Sequence, residues 1–188
     1  RLMSEPLQGK VKALEGATPA RQGMFSKVKV IDRAGRRGMY FVRPNGLEVL
    51  ESEVDLYHPD LLQVAYTQDL MVAYALVPHL KRALIVGLGG GGMLHALNRY
   101  DPQLSLDVVE IDPVVVQLAR DYFGVDHTHA QVITRDGFEQ LRDPSAGRYD
   151  VIYMDAFLQP SEDTDSTGAP LRLKTVTFLQ EVRARLAP

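Results

Sequence analysis

The 188 residues contain no cysteine. That absence excludes disulfides, thiol nucleophiles and cysteine-ligated metals, and it fits a reducing cytoplasm. Long hydrophobic runs are missing too. No apolar stretch approaches the roughly 18 to 20 residues that span a bilayer, and the start carries no short apolar block of the signal-peptide kind, so no membrane partner is expected. Basic charge is scarce over most of the chain. Residues 1–37 hold nine Lys or Arg and three acids, whereas residues 38–188 hold twelve and twenty-one. The larger part, at about −9, favours cationic ligands and argues against nucleic acid, whose phosphates want a basic face. The basic cluster Arg33, Arg36 and Arg37 lacks interleaved aromatics and reads as a solvated hairpin tip.

Glycine is present where it is costly. In ALIVGLGGGGMLHAL (83–97), five of the six residues from 87 to 92 are glycine, between a strand-like run and a helical one. Glycine inside either element costs about 0.5 to 1 kcal/mol relative to alanine, so bare backbone here serves another requirement. Gly87, Gly89 and Gly92 match GxGxxG, a turn that lets a nucleotide or nucleoside approach where no Cβ intrudes. Alone, the pattern is also that of any tight strand-to-helix turn.

The organisation around it supports the ligand reading. Residues 1–23 show no sustained period and read as an arm or linker, and residues 24–58 as a small antiparallel β-meander. A connecting helix is expected over 59–78, from the spacing of Leu62, Tyr66, Leu70, Tyr74 and Val77. From 79 to 188, strand-like runs (ALIVG, LSLDVVEID, AQVITRDG, YDVIYMDAF) alternate with helical stretches at 92–100, 113–123 and 137–142. Such alternation predicts an α/β, Rossmann-like open parallel sheet. QPSEDTDSTGAP (159–170) is an acidic loop, either a cover for the crevice or a solvated connector. A last helix should bury Phe178, Leu179, Val182 and Leu186. The fold normally continues beyond this point, so further chain or a covering partner, a homo-oligomer included, is expected at the edge left by YDVIYMD.

Acids fall where strands end: Glu110 and Asp112, Asp136, and Asp155. In an open parallel sheet those ends meet at one crevice. Glu110 follows the glycine loop at about the spacing that brings an acid to ribose hydroxyls. Asp136, followed by Gly137, is placed to accept from an adenine amino group. Asp112, before Pro113, reads as a helix cap, and Asp150 as a surface charge. His127 and His129 read as solvated loop residues and His95 as a surface or packing residue, so no metal site is expected.

VGLGGGGMLHAL, VVEIDPVVVQLAR, RDGFEQL and YDVIYMDAF resemble successive motifs of the spermidine synthase (polyamine aminopropyltransferase) family, within the class I S-adenosylmethionine-dependent fold. GLEVLESEVD with Tyr66-Thr67 is similar to that family's amino-terminal β-domain and following helix. The resemblance implies a nucleoside site at Gly87, Gly89, Gly90, Gly91, Glu110, Ile111, Asp136 and Gly137. It further implies Asp155 as the catalytic aspartate and Tyr66 facing the substrate, an amine or other nucleophilic acceptor. Two departures stand out. The family's GGGDG loop acid is replaced by Gly90, and its DSSDP by Asp155-Ala156-Phe157-Leu158. A donor ending in a bare ammonium loses partners, whereas the carboxylate of S-adenosylmethionine suits a glycine loop opening a helix. Methyl transfer from S-adenosylmethionine is therefore the favoured expectation. Aminopropyl transfer from decarboxylated S-adenosylmethionine, a non-catalytic nucleoside-binding module and a nicotinamide-dependent dehydrogenase are the alternatives, the last opposed by the short chain.

Overall fold

The computed structural model describes residues 5–158 and 160–188. Residues 1–4 of the expected arm and residue 159 of the acidic loop lie outside the described residues. Two four-stranded sheets organise the chain. The first is antiparallel, in the order β1 (Arg21–Gln22), β2 (Lys27–Arg33), β3 (Arg36–Val42), β4 (Glu48–Asp55). After α1 (Ala65–Leu70) and α2 (Ala73–Leu76) comes the second, built from β5 (Arg82–Val86), β6 (Ser105–Glu110), β7 (Gln131–Thr134) and β8 (Val151–Met154). Its strands are parallel and ordered β7-β6-β5-β8. Intervening helices are α3 (Gly92–Tyr100), α4 (Pro113–Phe123) and α5 (Gly137–Arg142), and α6 (Val176–Ala184) follows. The fold is the Rossmann-like α/β sheet with a small amino-terminal β-meander.

Buried strands with helices on both faces explain the apolar runs. On one face Ile85, Leu106 and Val108 meet Leu94, Leu97, Val116 and Ala119 of α3 and α4. On the other, Leu84, Val86 and Val109 meet Leu141 and Phe178 of α5 and α6. Helix α4 is apolar on a second stripe as well: Val115, Leu118 and Phe123 pack against Val28, Val30, Met39 and Val54 of the meander. That packing seats the antiparallel sheet beside the carboxyl ends of the parallel strands.

Several expectations are corrected. The helix expected over 59–78 is two short ones, because Leu62 and Val64 form cavity wall in an irregular segment and Val64 is extended, with φ −95° and ψ 125°. Residues 7–12 are no loose arm: Leu7 is buried, and the Lys12 N–H donates to the Asp121 carbonyl at 2.9 Å. In α6 Phe178 is buried, but Leu179 faces solvent. Beside β8, a parallel bridge joins Tyr149 and Leu186. No described helix is long and apolar enough to cross a membrane.

Arg37 departs furthest from the solvated hairpin tip. It is 2% exposed and pairs with both carboxylate oxygens of Asp32, at 2.6 and 2.7 Å. It also donates to the carbonyls of Lys12 (3.1 Å) and Tyr122 (2.8 Å), tying hairpin, amino-terminal segment and α4 together. Removing one partner of such a buried pair strands the others. Arg37→Met should cost about 3 kcal/mol in urea unfolding. Arg36→Met, which breaks only an exposed contact to Glu53, should stay within about 0.5 kcal/mol. Equal costs would refute the assignment.

Candidate functional site

The parallel sheet ends in a turn that leaves β5 through Gly87, whose N–H donates to the Val109 carbonyl at 2.8 Å. Gly87 has φ +107°, and a Cβ there would strike the Asp155 carbonyl. Bare backbone thus lets the ends of β5 and β8 close on each other. Glu110, at the end of β6, accepts from Leu88 N–H (3.0 Å) through one oxygen and from Asp112 N–H (2.9 Å) through the other. Burial pushes the Glu110 carboxyl up, and these backbone donors oppose that push. One carboxylate therefore straps the glycine loop to the neighbouring strand end, and its remaining lone pairs can take hydroxyl donors.

Above this strap lies a cavity bounded by Gly87, Leu88, Gly89, Gly92, Glu110, Ile111, Asp136, Gly137, Asp155 and Tyr66. Residues from the ends of all four parallel strands and from α1 meet there. Gly90 and Gly91, expected in the nucleoside site, do not line it. A Cβ at Gly90 would lie 2.7 Å from the Phe123 ring, and one at Gly91 would lie 2.5 Å from Val125. Phe123 thus fills the space where a side chain at position 90 would begin.

Asp136 caps α5 through the Phe138 N–H (2.9 Å), and Arg172 holds both its oxygens at 2.8 and 3.1 Å. Its expected role toward an adenine amino group therefore meets a cation already in place. Pro170, Arg172 and Leu173 join the cavity wall, which brings the end of the acidic loop to the site. Asp112 caps α4 through Val114 N–H (2.8 Å) and receives Met24 N–H at 2.7 Å. Asp150 accepts from the N–H groups of Lys81 and Arg82, both at 2.8 Å, and so anchors the entry to β5. His95 donates to the Phe123 carbonyl at 2.7 Å; burial lowers its pKa and keeps it neutral. His127 and His129 are exposed.

Tyr66 and Asp155 meet at the cavity as a hydrogen-bonded pair. The Tyr66 hydroxyl donates to Asp155 Oδ1 at 2.7 Å, and Phe157 packs edge-on against the Tyr66 ring, centroids 5.6 Å apart. Burial raises Asp155 to about 6, partly offset by the tyrosine's hydrogen bond. Burial and the neighbouring carboxylate push the Tyr66 phenol well above its usual range, so it stays a donor. At neutral pH the pair is an oriented carboxylate with one oxygen available to a substrate proton.

Sequence reasoning missed Glu51, Phe157 and Arg172 as cavity residues. Phe157 had a signal, its place just after Asp155. Glu51 had none, because period-two alternation in a strand does not reveal a bulge.

The spermine/spermidine synthase domain family matches residues 63–167. A polyamine aminopropyltransferase from Vibrio vulnificus is 29% identical over 171 residues, 88% of this chain and 54% of that protein. Another from Clostridium beijerinckii is 29% identical over 137 residues, 70% of this chain and 45% of that one. The chain spans about half the length of these curated relatives. A solved structure of a probable spermidine synthase from Corynebacterium glutamicum shares the fold. Its TM-score is 0.72 at 21% identity, over 90% of this chain and 60% of that one. Since the family match covers more than half of its residues, and takes in the glycine loop, Tyr66 and Asp155 alike, the chain belongs to the spermine/spermidine synthase family.

Proposed function

We propose that this chain binds decarboxylated S-adenosylmethionine and transfers its aminopropyl group to an amine. The observation that carries the reading is the Tyr66–Asp155 hydrogen bond, formed over the glycine-loop cavity between two residues of the family-matched segment. The cavity suits such a donor: Leu88, Ile111 and Met93 offer apolar walls to a nucleoside, Glu110 offers acceptors to its ribose, and the surrounding carboxylates favour a sulfonium.

In the proposed reaction the amine's lone pair attacks the carbon attached to sulfur. A C–N bond forms, the C–S bond breaks with its electrons passing to sulfur, and the product is a thioether. Asp155 takes the proton the amine loses, while Tyr66 holds the carboxylate in place. Alignment of two bound reactants and general-base assistance supply the rate.

The preference for methyl transfer, drawn from Gly90 and Ala156-Phe157-Leu158, gives way here, because the family match and the curated relatives support aminopropyl transfer better. The test is product mass. Incubation with decarboxylated S-adenosylmethionine and a panel of small amines should add an aminopropyl mass to an acceptor. A methyl mass appearing with S-adenosylmethionine instead, or binding of neither nucleoside, overturns the reading.

A further inference from the structure

The antiparallel sheet holds an irregularity that faces the cavity. Along β3 and β4, Met39 pairs with Ser52 and Tyr40 pairs with Leu50, so Glu51 is an extra residue opposite no partner. A bulge of this kind re-aims the side chain it carries. Here it lets Glu51 and Ser52, consecutive in a strand, both line the cavity. Ser52 lies against the glycine loop: a Cβ at Gly89 would sit 3.0 Å from its Cβ, and one at Gly90 would sit 3.2 Å from its Oγ. The bulge therefore brings Glu51 to the cavity on the strand segment whose Ser52 abuts the glycine loop, where Phe123 leaves no room for an acid at position 90.

The other acids of the cavity are already engaged. Glu53 pairs with Arg36, Glu110 and Asp112 each with two backbone N–H groups, Asp136 with Arg172 and Asp155 with Tyr66. For Glu51 the opposing group is the charge of Arg43, a residue outside the cavity lining. Burial outweighs that charge and lifts the Glu51 carboxyl to about 7, and the acid in turn acts on Tyr66. A half-buried carboxylate aimed into a ligand cavity is stabilised by a cation that enters with the ligand.

Resting on the aminopropyl reading, we propose that Glu51 is the residue that recognises the primary ammonium of the donor and discriminates against a donor that keeps its carboxylate. A charge-assisted hydrogen bond of this kind supplies about tenfold or more in affinity. S-adenosylmethionine would bring its carboxylate toward an acid and bind more weakly.

Calorimetric titration at pH 8, above the Glu51 pKa, separates the outcomes. Wild-type chain should bind decarboxylated S-adenosylmethionine at least about tenfold more tightly than S-adenosylmethionine. Glu51→Gln should lose about tenfold for the decarboxylated donor and narrow that preference, yet bind methylthioadenosine, which has no ammonium, within about twofold of wild type. The methylthioadenosine result also reports that the variant is folded. An unchanged donor preference in Glu51→Gln, or an equal loss for methylthioadenosine, overturns the assignment while leaving the aminopropyl reading standing. So does a variant whose donor affinity is intact while its KM for the acceptor amine rises. Failure of wild type to bind any of the three nucleosides instead defeats the aminopropyl reading itself.

Discussion

Asp155→Asn should lower turnover by about 10²- to 10⁴-fold, the range for removing a general base, while nucleoside affinity stays within about threefold. Asparagine keeps the shape and can still accept from Tyr66, but it then turns an amide N–H₂ toward the incoming amine, where a proton acceptor is required. The backbone is unaffected, since Asp155 is positioned by its own N–H donating to the Val86 carbonyl at 2.9 Å. Steady-state rates with single-turnover controls would check the split between kcat and binding. The pH dependence follows with a definite sign. In the proposed reaction Asp155 acts ionised, and burial raises its carboxyl to about 6, so kcat should fall as pH drops through that value. Tyr66→Phe removes the hydrogen bond that lowers this pKa, so its acid limb should move to higher pH. A Tyr66→Phe limb that moved down, or an Asp155→Asn enzyme retaining a third of its rate, would remove the carboxylate from the proposed chemistry.

The parts legible in sequence are those set by local chemistry. An apolar run ending in glycines made β5 and its turn visible. Asp112 before Pro113 marked a helix start that the structure realises as a side-chain cap, whereas Asp136, read only as an adenine partner, caps α5 as well. Parallel strand order then brings Glu110, Asp136 and Asp155 to one cavity without further information, since all three follow strand ends. The hidden parts depend on partners distant in sequence. Arg37 looks like a surface charge among others until Tyr122 and Lys12 present carbonyls to it from elsewhere. The meaning of glycine at position 90 depends on Phe123, at the far end of another helix, filling the space. The stretch before α1 carries a helical period, yet Leu62 and Val64 are used as cavity wall, so periodicity misreads it. Glu51 is the sharpest case: one unpaired residue reverses the alternation by which a strand's faces are assigned.

Gly87→Ala should be the most damaging single methyl group in the chain. Its φ of +107° lies where an L-residue is strained, at a cost of about 1 to 3 kcal/mol. The added Cβ also meets the Asp155 carbonyl, part of the backbone at the end of β8, which rotamer changes cannot clear. Relief requires β5 and β8 to part, adding a further overpacking cost of about 1 to 3 kcal/mol. A total of about 2 to 6 kcal/mol should show as a lowered midpoint in urea unfolding followed by circular dichroism, with unchanged slope. Because the displaced strand end carries Asp155, and the loop carries the Leu88 N–H that Glu110 accepts, catalysis and nucleoside binding should fall with stability. Gly46→Ala separates conformational strain from collision. Gly46 also has a left-handed backbone, with φ +83°, but nothing lies within 4 Å of an added Cβ. That substitution should cost about 1 to 2 kcal/mol and leave binding intact. If the two substitutions behaved alike, the glycine at the head of the loop would be a matter of backbone preference alone. A larger effect at Gly87, with loss of the site, would mean that this glycine is there to let two strand ends approach closely enough to share one ligand.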